Sequence, residues 1–509
     1  MSHLFGRSVL NLLASFVSMA SGFVVAVIIA RVLGPEGLGA TAFAIWLTTA
    51  LAAIVDRGWP QTALRFGAMS DPAERRATIV GIRRQWALGL LFSVVVFAGA
   101  AVVSMLFATP NALSEPLILL AICVVYSTAG FAASSRRAYG DFLSPARSSI
   151  IGSLLYVPGS ILGASLAGAS GAVAALLLRS IPMLPLLRIP PHSDGEEQER
   201  QLNPSREAKS YALQIWISDL LDILVLSRVE YLFLSLIATS ADLGLFAVAI
   251  AFAGLVEQLS LQISAPLVVS FASRVSGQLP NEHYNDHAHA QQLIYERAVL
   301  GLSVVCLPIC FGGAAIMSLL LPLVYSAAYV DLVPMASILL VSSALSALSV
   351  LPWSALSASG HANVITRSVL VLAVTTIVVL PVAIFIWGLW GAVIAKSLLQ
   401  IAGFFLFQIQ LERLGGARLP IAHLARVLIS ATVSALSAMA ILHVFQASVV
   451  LVLAVAICVA ATVYVIFLRM TCAIPRSHFS ALASAPDVNA PALTGPRRVM
   501  ARLVSLILS

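Results

Sequence analysis

"IIARVLGPEGLGATAFAI", residues 28–45, decides how the chain is read. Two apolar runs meet there at a short hinge that holds Arg31, Glu36 and four structure-breaking residues, Gly34, Pro35, Gly37 and Gly39. The run before the hinge is uncharged from Ser8 to Ala30, and the one after it from Leu38 to Val55. About 20 apolar residues cross about 30 Å of hydrocarbon as a helix, so the hinge reads as a tight reversal between two membrane helices. The first run has no small-residue cleavage pattern and is expected to stay as helix 1.

The same pattern repeats along all 509 residues, of which 60% are hydrophobic and 10% charged. Soluble chains carry about 25% charged residues, so a soluble globular protein is excluded. The runs are continuous rather than alternating, which favours helices over a barrel. The expected class is an all-α polytopic membrane protein with about fourteen spans. They fall at 9–30, 38–55, 86–107, 117–133, 150–167, 171–187, 212–237, 243–269, 299–321, 333–355, 369–387, 389–407, 427–444 and 449–468.

Orientation follows from basic residues. Of 29 Lys and Arg, 25 fall at the amino terminus, in the loops that follow even-numbered spans, or in the tail. Those segments are therefore expected to be cytoplasmic, and both termini with them. Only Arg31 lies in an opposite loop, while Arg179, Arg228 and Lys396 lie within spans. The pI near 9.4 reflects this basic face rather than affinity for nucleic acid.

Two echoes point to an internal repeat. "PEGLGATAFA" at 35–44 matches "SADLGLFAVA" at 240–249, and "GASGAVAA" at 168–175 matches "GLWGAVIA" at 388–395. The offsets, 205 and 220 residues, are nearly equal. Six helices per half is an even number, so both halves enter the membrane in the same direction, as parallel repeats do. The expected organisation is a six-helix lobe at 1–188, a cytoplasmic linker at 189–210, a second six-helix lobe at 211–411, helices 13 and 14 at 412–470, and a mostly disordered tail at 471–509. The tail ends in "PRRVMARLVSLILS", an amphipathic stretch suited to an anionic leaflet.

Enzymatic signatures are missing. There is no P-loop, HExxH or GxSxG, and the longest outside loop, about 322–334, is too short to build a catalytic site. Cys306 and Cys310 share a helix face without histidine or carboxylate neighbours and read as packing. His283, His287 and His289 match no ligand spacing and read as a solvated loop. No catalytic residue, metal or cofactor is expected.

What remains is a set of ionisable groups inside spans: Arg179, Asp219, Asp222, Arg228, Glu230, Glu257 and Lys396. Each costs about 2.5–3.5 kcal/mol at a span centre. Arg179, Arg228 and Lys396 are candidates for a cationic cavity that receives an anionic cargo. Arg31 and Arg65 join them as candidates, Arg31 also as a cap for the outer end of helix 1. Asp222, Glu230 and Glu257 are candidates for ion coupling, and salt bridges between helix 7 acids and Arg179 or Lys396 are the structural alternative.

"ARVLGPEGLGATAFAIWL" and "DRGWPQTALRF" at 56–66 resemble the opening helix pair of bacterial polysaccharide exporters. These are the Wzx-type oligosaccharide flippases of the multidrug/oligosaccharidyl-lipid/polysaccharide (MOP) superfamily. The resemblance continues in "RVEYLFLSLIATSADLGLFAVA" and "LPLVYSAAYVDLVPMASILLVSSALSALSVLPWSALSASGHAN". The family pattern matches Arg31, Leu33, Gly34, Pro35, Gly39, Asp56, Gly58 and Arg65, while Glu230 stands where the family more often shows Asp. The resemblance implies a translocator of a lipid-linked oligosaccharide, a polyprenyl diphosphate sugar, in the bacterial inner membrane. Its partners would be membrane lipids and other polysaccharide-assembly proteins. The alternatives are a MATE-like multidrug exporter and, disfavoured by the short outside loops, a membrane polymerase or ligase.

Overall fold

A computed structural model describes residues 2–70, 72–107, 114–188, 204–275, 284–359, 361–445 and 447–473. The linker at 189–203, His283 and the tail beyond residue 473 fall outside them, as do the side chains of His287 and His289. The described residues form fourteen α-helices and no strand. They are α1 (Ser2–Asp56), α2 (Trp59–Met69), α3 (Pro72–Phe107), α4 (Ser114–Ala138), α5 (Leu143–Ala174), α6 (Leu176–Ser180), α7 (Arg206–Leu221) and α8 (Val229–Ile237). The second part of the chain supplies α9 (Ser240–Val275), α10 (Tyr284–Val324), α11 (Val333–Ala358), α12 (Ala362–Arg413), α13 (Ile421–Val444) and α14 (Val449–Met470). Among the described residues, ten helices are long and apolar enough to cross a membrane. The chain is an all-α, multi-pass membrane protein.

α1 and α12 are each long enough for two spans joined at a glycine, and α5 is also bent at a glycine near its end. Gly34, followed by Pro35, divides α1 with φ 70°, a left-handed value that only glycine adopts at no cost. Gly168 divides α5 at φ 60°, ψ −138°, and Gly388 divides α12 at φ 56°, ψ −132°. The two members of the second echo therefore turn in the same way. In each, the glycine three residues on packs against a carbonyl five residues before the turn. A Cβ on Gly171 would lie 2.1 Å from the Gly163 oxygen, and one on Gly391 would lie 1.9 Å from the Ala383 oxygen. Open space surrounds the Cβ positions of Gly168 and Gly388, so only backbone strain opposes a side chain there. Gly168→Ala and Gly388→Ala should each lower stability by about 1–2 kcal/mol in thermal unfolding, whereas Gly312→Ala, which also faces open space without a positive φ, should not.

The first echo is a contact as well as a likeness. A Cβ on Gly39 would lie 1.8 Å from the Ser240 oxygen and 2.9 Å from the Gly244 nitrogen. One on Gly244 would lie 1.8 Å from the Pro35 oxygen and 2.9 Å from the Gly39 nitrogen. Exchanging the two segments leaves this crossing unchanged.

The chain divides into two compact units, Met1–Val248 with Ala373–Ala392 and Ala249–Leu372 with Val393–Ser509. In the first, α1 runs along α5, and α2 packs on α3, α4 and α7. Trp59, Ala63, Ile82, Trp86, Phe131 and Ala212 form a core there, with Trp86 stacked on Phe131 at 4.6 Å. In the second, α10 packs on α11 and α13, and Ile316, Ala438, Leu453, Ala456 and Ala460 form a core with small residues at the crossing. Small side chains let helix backbones approach closely where lipid supplies no hydrophobic drive.

Some cytoplasm-expected arginines do structural work. Arg136 donates from Nε to the Leu186 carbonyl at 3.1 Å and from Nη2 to that of Arg188 at 2.8 Å, and Arg75 donates to Gly67 and Ser70 at the end of α2. These carbonyls end helical turns and lack intrahelical donors. Helix 7, expected as one continuous span, is broken: α7 passes into a π-helical turn at Asp222–Ser227, and Arg228 follows with φ −145°, ψ 34° before α8. The π turn displaces carbonyls from the regular ladder, and the Trp46 indole N–H donates to the Ile223 oxygen at 3.3 Å.

Candidate functional site

In the first unit Arg179 lies on α6, drawn in by a glycine. A Cβ on Gly152 of α5 would lie 2.0 Å from the Arg179 carbonyl oxygen, so only glycine permits this approach. The Arg179 Nη2 donates to Ser18 Oγ at 2.5 Å and to the Ser18 carbonyl at 3.5 Å. Its guanidinium stands 5.5 Å from the ring centroid of Tyr156, itself 2% exposed. All of these partners are neutral. The structural alternative, a salt bridge from Arg179 to a helix 7 acid, is not formed among the described residues, where a hydroxyl, a carbonyl and a ring on α1 and α5 stand around the guanidinium. The other guanidinium N–H groups make no hydrogen bond to the described residues. A cation held only by neutral groups, with donors to spare, suits a phosphate or carboxylate oxygen pair.

Arg228 and Glu230 both stand at the break in helix 7. The Arg228 guanidinium lies 6.0 Å from the Tyr231 ring centroid, and Glu230, 1% exposed, sits in the first turn of α8, where a negative charge favours the helix terminus. Asp222 opens the π turn and is exposed. Arg31 is exposed in the last turn before the Gly34 kink. Arg65, on the amphipathic α2, is exposed with its guanidinium 4.4 Å from the Tyr211 ring centroid, a cation–π distance.

In the second unit Glu257 of α9 sits in a polar network that sequence reasoning did not find. Its Oε1 accepts from Ser346 Oγ at 3.1 Å and from Gln400 Nε2 at 2.7 Å. Ser342 Oγ donates to Gln400 Oε1 at 2.8 Å and to Ser397 Oγ at 3.2 Å. Neutral donors from α11 and α12 thus surround the carboxylate, and no basic side chain pairs with it among the described residues. Lys396, 8% exposed, precedes Ser397 on α12. Cys306 and Cys310 meet Ser260 and Ser343 at 3.8 and 3.7 Å, contacts of small packed side chains. Ser18, Tyr156, Ser346 and Gln400 were missed because hydroxyls and amides are common in spans and carry no signal until a charged group faces them.

A model of the family described as polysaccharide biosynthesis protein matches residues 7–271. No curated protein matches the chain. Among solved structures, the lipid II flippase MurJ in an inward closed conformation superposes with TM-score 0.69 at 14% identity, covering 90% of this chain and 98% of that one. An inward-facing multidrug resistance MATE family transporter of the MOP superfamily gives 0.61 at 15% identity, covering 80% and 99%. An outward-facing transporter of that description gives 0.52 at 19% identity, covering 80% and 97%. At such identities the structures speak for a shared fold, while the family match spans more than half of the sequence. The chain therefore belongs to the polysaccharide biosynthesis protein family and is built on the fold of MOP-superfamily transporters.

Proposed function

We propose that the protein carries a lipid-linked oligosaccharide, with an anionic diphosphate, across the bacterial inner membrane by alternating access. The observation that carries this reading is Arg179: a cation inside the membrane domain that meets only neutral groups and keeps donors in reserve. Arg228, Lys396, Arg31 and Arg65 are the further cations offered to the cargo. Asp222, Glu230 and Glu257 are the acids offered to a coupling ion, Glu257 with the strongest case because neutral donors from two helices surround it. The arginine-rich end and both termini face the cytoplasm in this reading, and the first six spans form one lobe of the transporter and the next six the other.

The barrier explains the need. With about ten hydroxyls at roughly 4 kcal/mol each, an oligosaccharide faces about 40 kcal/mol in hydrocarbon. A polar route removes most of that cost but gives no direction of its own.

The test is mass spectrometry of lipids from a deletion strain, together with a membrane-impermeant probe of leaflet. Complete repeat units accumulating on the cytoplasmic side are expected. Accumulation on the outer side would assign the defect to polymerisation or ligation. Unchanged lipids with broad drug sensitisation would favour a multidrug exporter and sink the proposal.

A further inference from the structure

Asp56 ends α1 and takes no part in the site above. Its Oδ1 accepts from Ser127 Oγ of α4 and from the Trp86 indole N–H of α3 at 3.2 Å, and that N–H is shared with Ser127 Oγ at 3.2 Å. Both donors are fixed. Trp86 is 3% exposed and stacked on Phe131, and Ser127 is fully buried. The neighbouring Arg57 does not compensate the charge: its guanidinium is turned over the Phe92 ring, 5.9 Å from the centroid. No basic side chain pairs with Asp56 among the described residues.

An ionised carboxylate in this setting has two neutral hydrogen bonds on one oxygen, each contributing about 0.5–1.5 kcal/mol net, against several kcal/mol for an unpaired charge out of water. The two terms are close enough in size for one proton to decide between them. The other titratable groups facing Asp56 add no positive charge: Cys123 and Tyr126 on α4, and Asp219 on α7.

The carboxyl also sits where α1 is joined to α7. Arg57 and Gly58 follow it in left-handed conformations, φ 48° and 70°. A Cβ on Gly58 would lie 2.2 Å from the Ala212 oxygen of α7, and the Trp216 indole of α7 donates to the Ala53 oxygen of α1 at 3.1 Å. A change in the hydrogen bonds of Asp56 is therefore one turn of helix, or one tight turn, away from two contacts that hold α7. Beyond them α7 enters the π turn and the break at Arg228.

We propose that Asp56 is a proton-binding site, and that gain or loss of its proton from solution resets the crossing of α1 and α7. This inference does not depend on the cargo, since it needs only the proton and the two helices.

The test uses the full chain in lipid nanodiscs, labelled with 5-fluorotryptophan. Seven tryptophans give seven fluorine resonances, and Trp86→Phe and Trp216→Phe assign the two that matter. The resonances of Trp86 and Trp216 should titrate together with one midpoint between about pH 4 and 9, a window that holds the perturbed carboxyl range. In Asp56→Asn both steps should be lost, while Glu74→Gln, an exposed acid on α3, should leave them in place. Ser127→Ala keeps the carboxyl and removes one donor to its charged form, so it should displace the midpoint even if Asp56→Asn proves unstable. A Trp86 resonance that does not titrate, steps that survive Asp56→Asn, a Trp216 resonance that stays fixed while Trp86 moves, or a midpoint unchanged by Ser127→Ala would each overturn the proposal.

Discussion

Gly39→Ala should destabilise the protein by about 3 kcal/mol, and Gly244→Ala by a similar amount, although alanine is the better helix former. Two effects oppose each other at these positions. Glycine to alanine within a helix gains about 0.5–1 kcal/mol. Against it, the new methyl of either variant would lie 1.8 Å from a backbone oxygen, that of Ser240 or Pro35. Overpacking costs about 1–3 kcal/mol where side chains can shift, and here the obstacle is main chain on both sides, so the upper end applies. Gly22→Ala, in the same helix but facing open space, isolates the propensity term and should be neutral or slightly stabilising. The two substitutions disrupt one crossing, so the double variant should cost clearly less than their sum. Thermal unfolding in detergent or nanodiscs reads all four. Additive penalties, or a Gly39→Ala as mild as Gly22→Ala, would show that the crossing is not held as tightly as its backbone distances imply.

The crossing also shows what could be read from sequence. The Leu-Gly echo at 38–39 and 243–244, and the GxxGAVxA frame, marked the positions where backbone meets backbone, because such contacts admit only glycine and leave it as a visible residue. The span count was legible for a related reason: Gly34, Gly168 and Gly388 interrupt long apolar helices without any loss of hydrophobicity, and glycine is what those turns require. The break in helix 7 left no such mark. "DILVLSRVEY" has neither proline nor glycine, and its π turn is matched by an indole from Trp46, 177 residues away. The surroundings of Arg179 and Glu257 were hidden in the same way. Sequence showed the charge, but the partners are serines, a glutamine and a tyrosine spread over several helices. Charged residues within spans announce themselves by their cost, whereas the groups that reduce that cost are ordinary.

That asymmetry gives the last prediction its form. Arg179→Gln should abolish export while leaving the fold as stable as the parent, or more so. A structural arginine behaves in the opposite way: removing one partner of a buried ion pair strands the other charge and costs about 3–5 kcal/mol. Among the described residues Arg179 has no acid to strand. Its loss forfeits hydrogen bonds to Ser18 and a ring contact with Tyr156, about 1–3 kcal/mol together. It also removes a charge that costs about 2.5–3.5 kcal/mol at a span centre. Set against each other, these terms leave the variant between about 0.5 kcal/mol less and about 2.5 kcal/mol more stable than the parent. Export should not be spared in the same way, because a charge-assisted contact to a diphosphate is about twice as strong as a neutral one and the amide of Gln cannot supply it. Arg179→Lys separates charge from geometry: an ammonium keeps the charge but loses the planar fork, and partial export is expected. Surface polysaccharide in a complemented deletion strain, read beside thermal unfolding of the same variants, decides the matter. Lost stability with Arg179→Gln would make the residue a structural strut, and full export by Arg179→Gln would remove it from the route of the cargo.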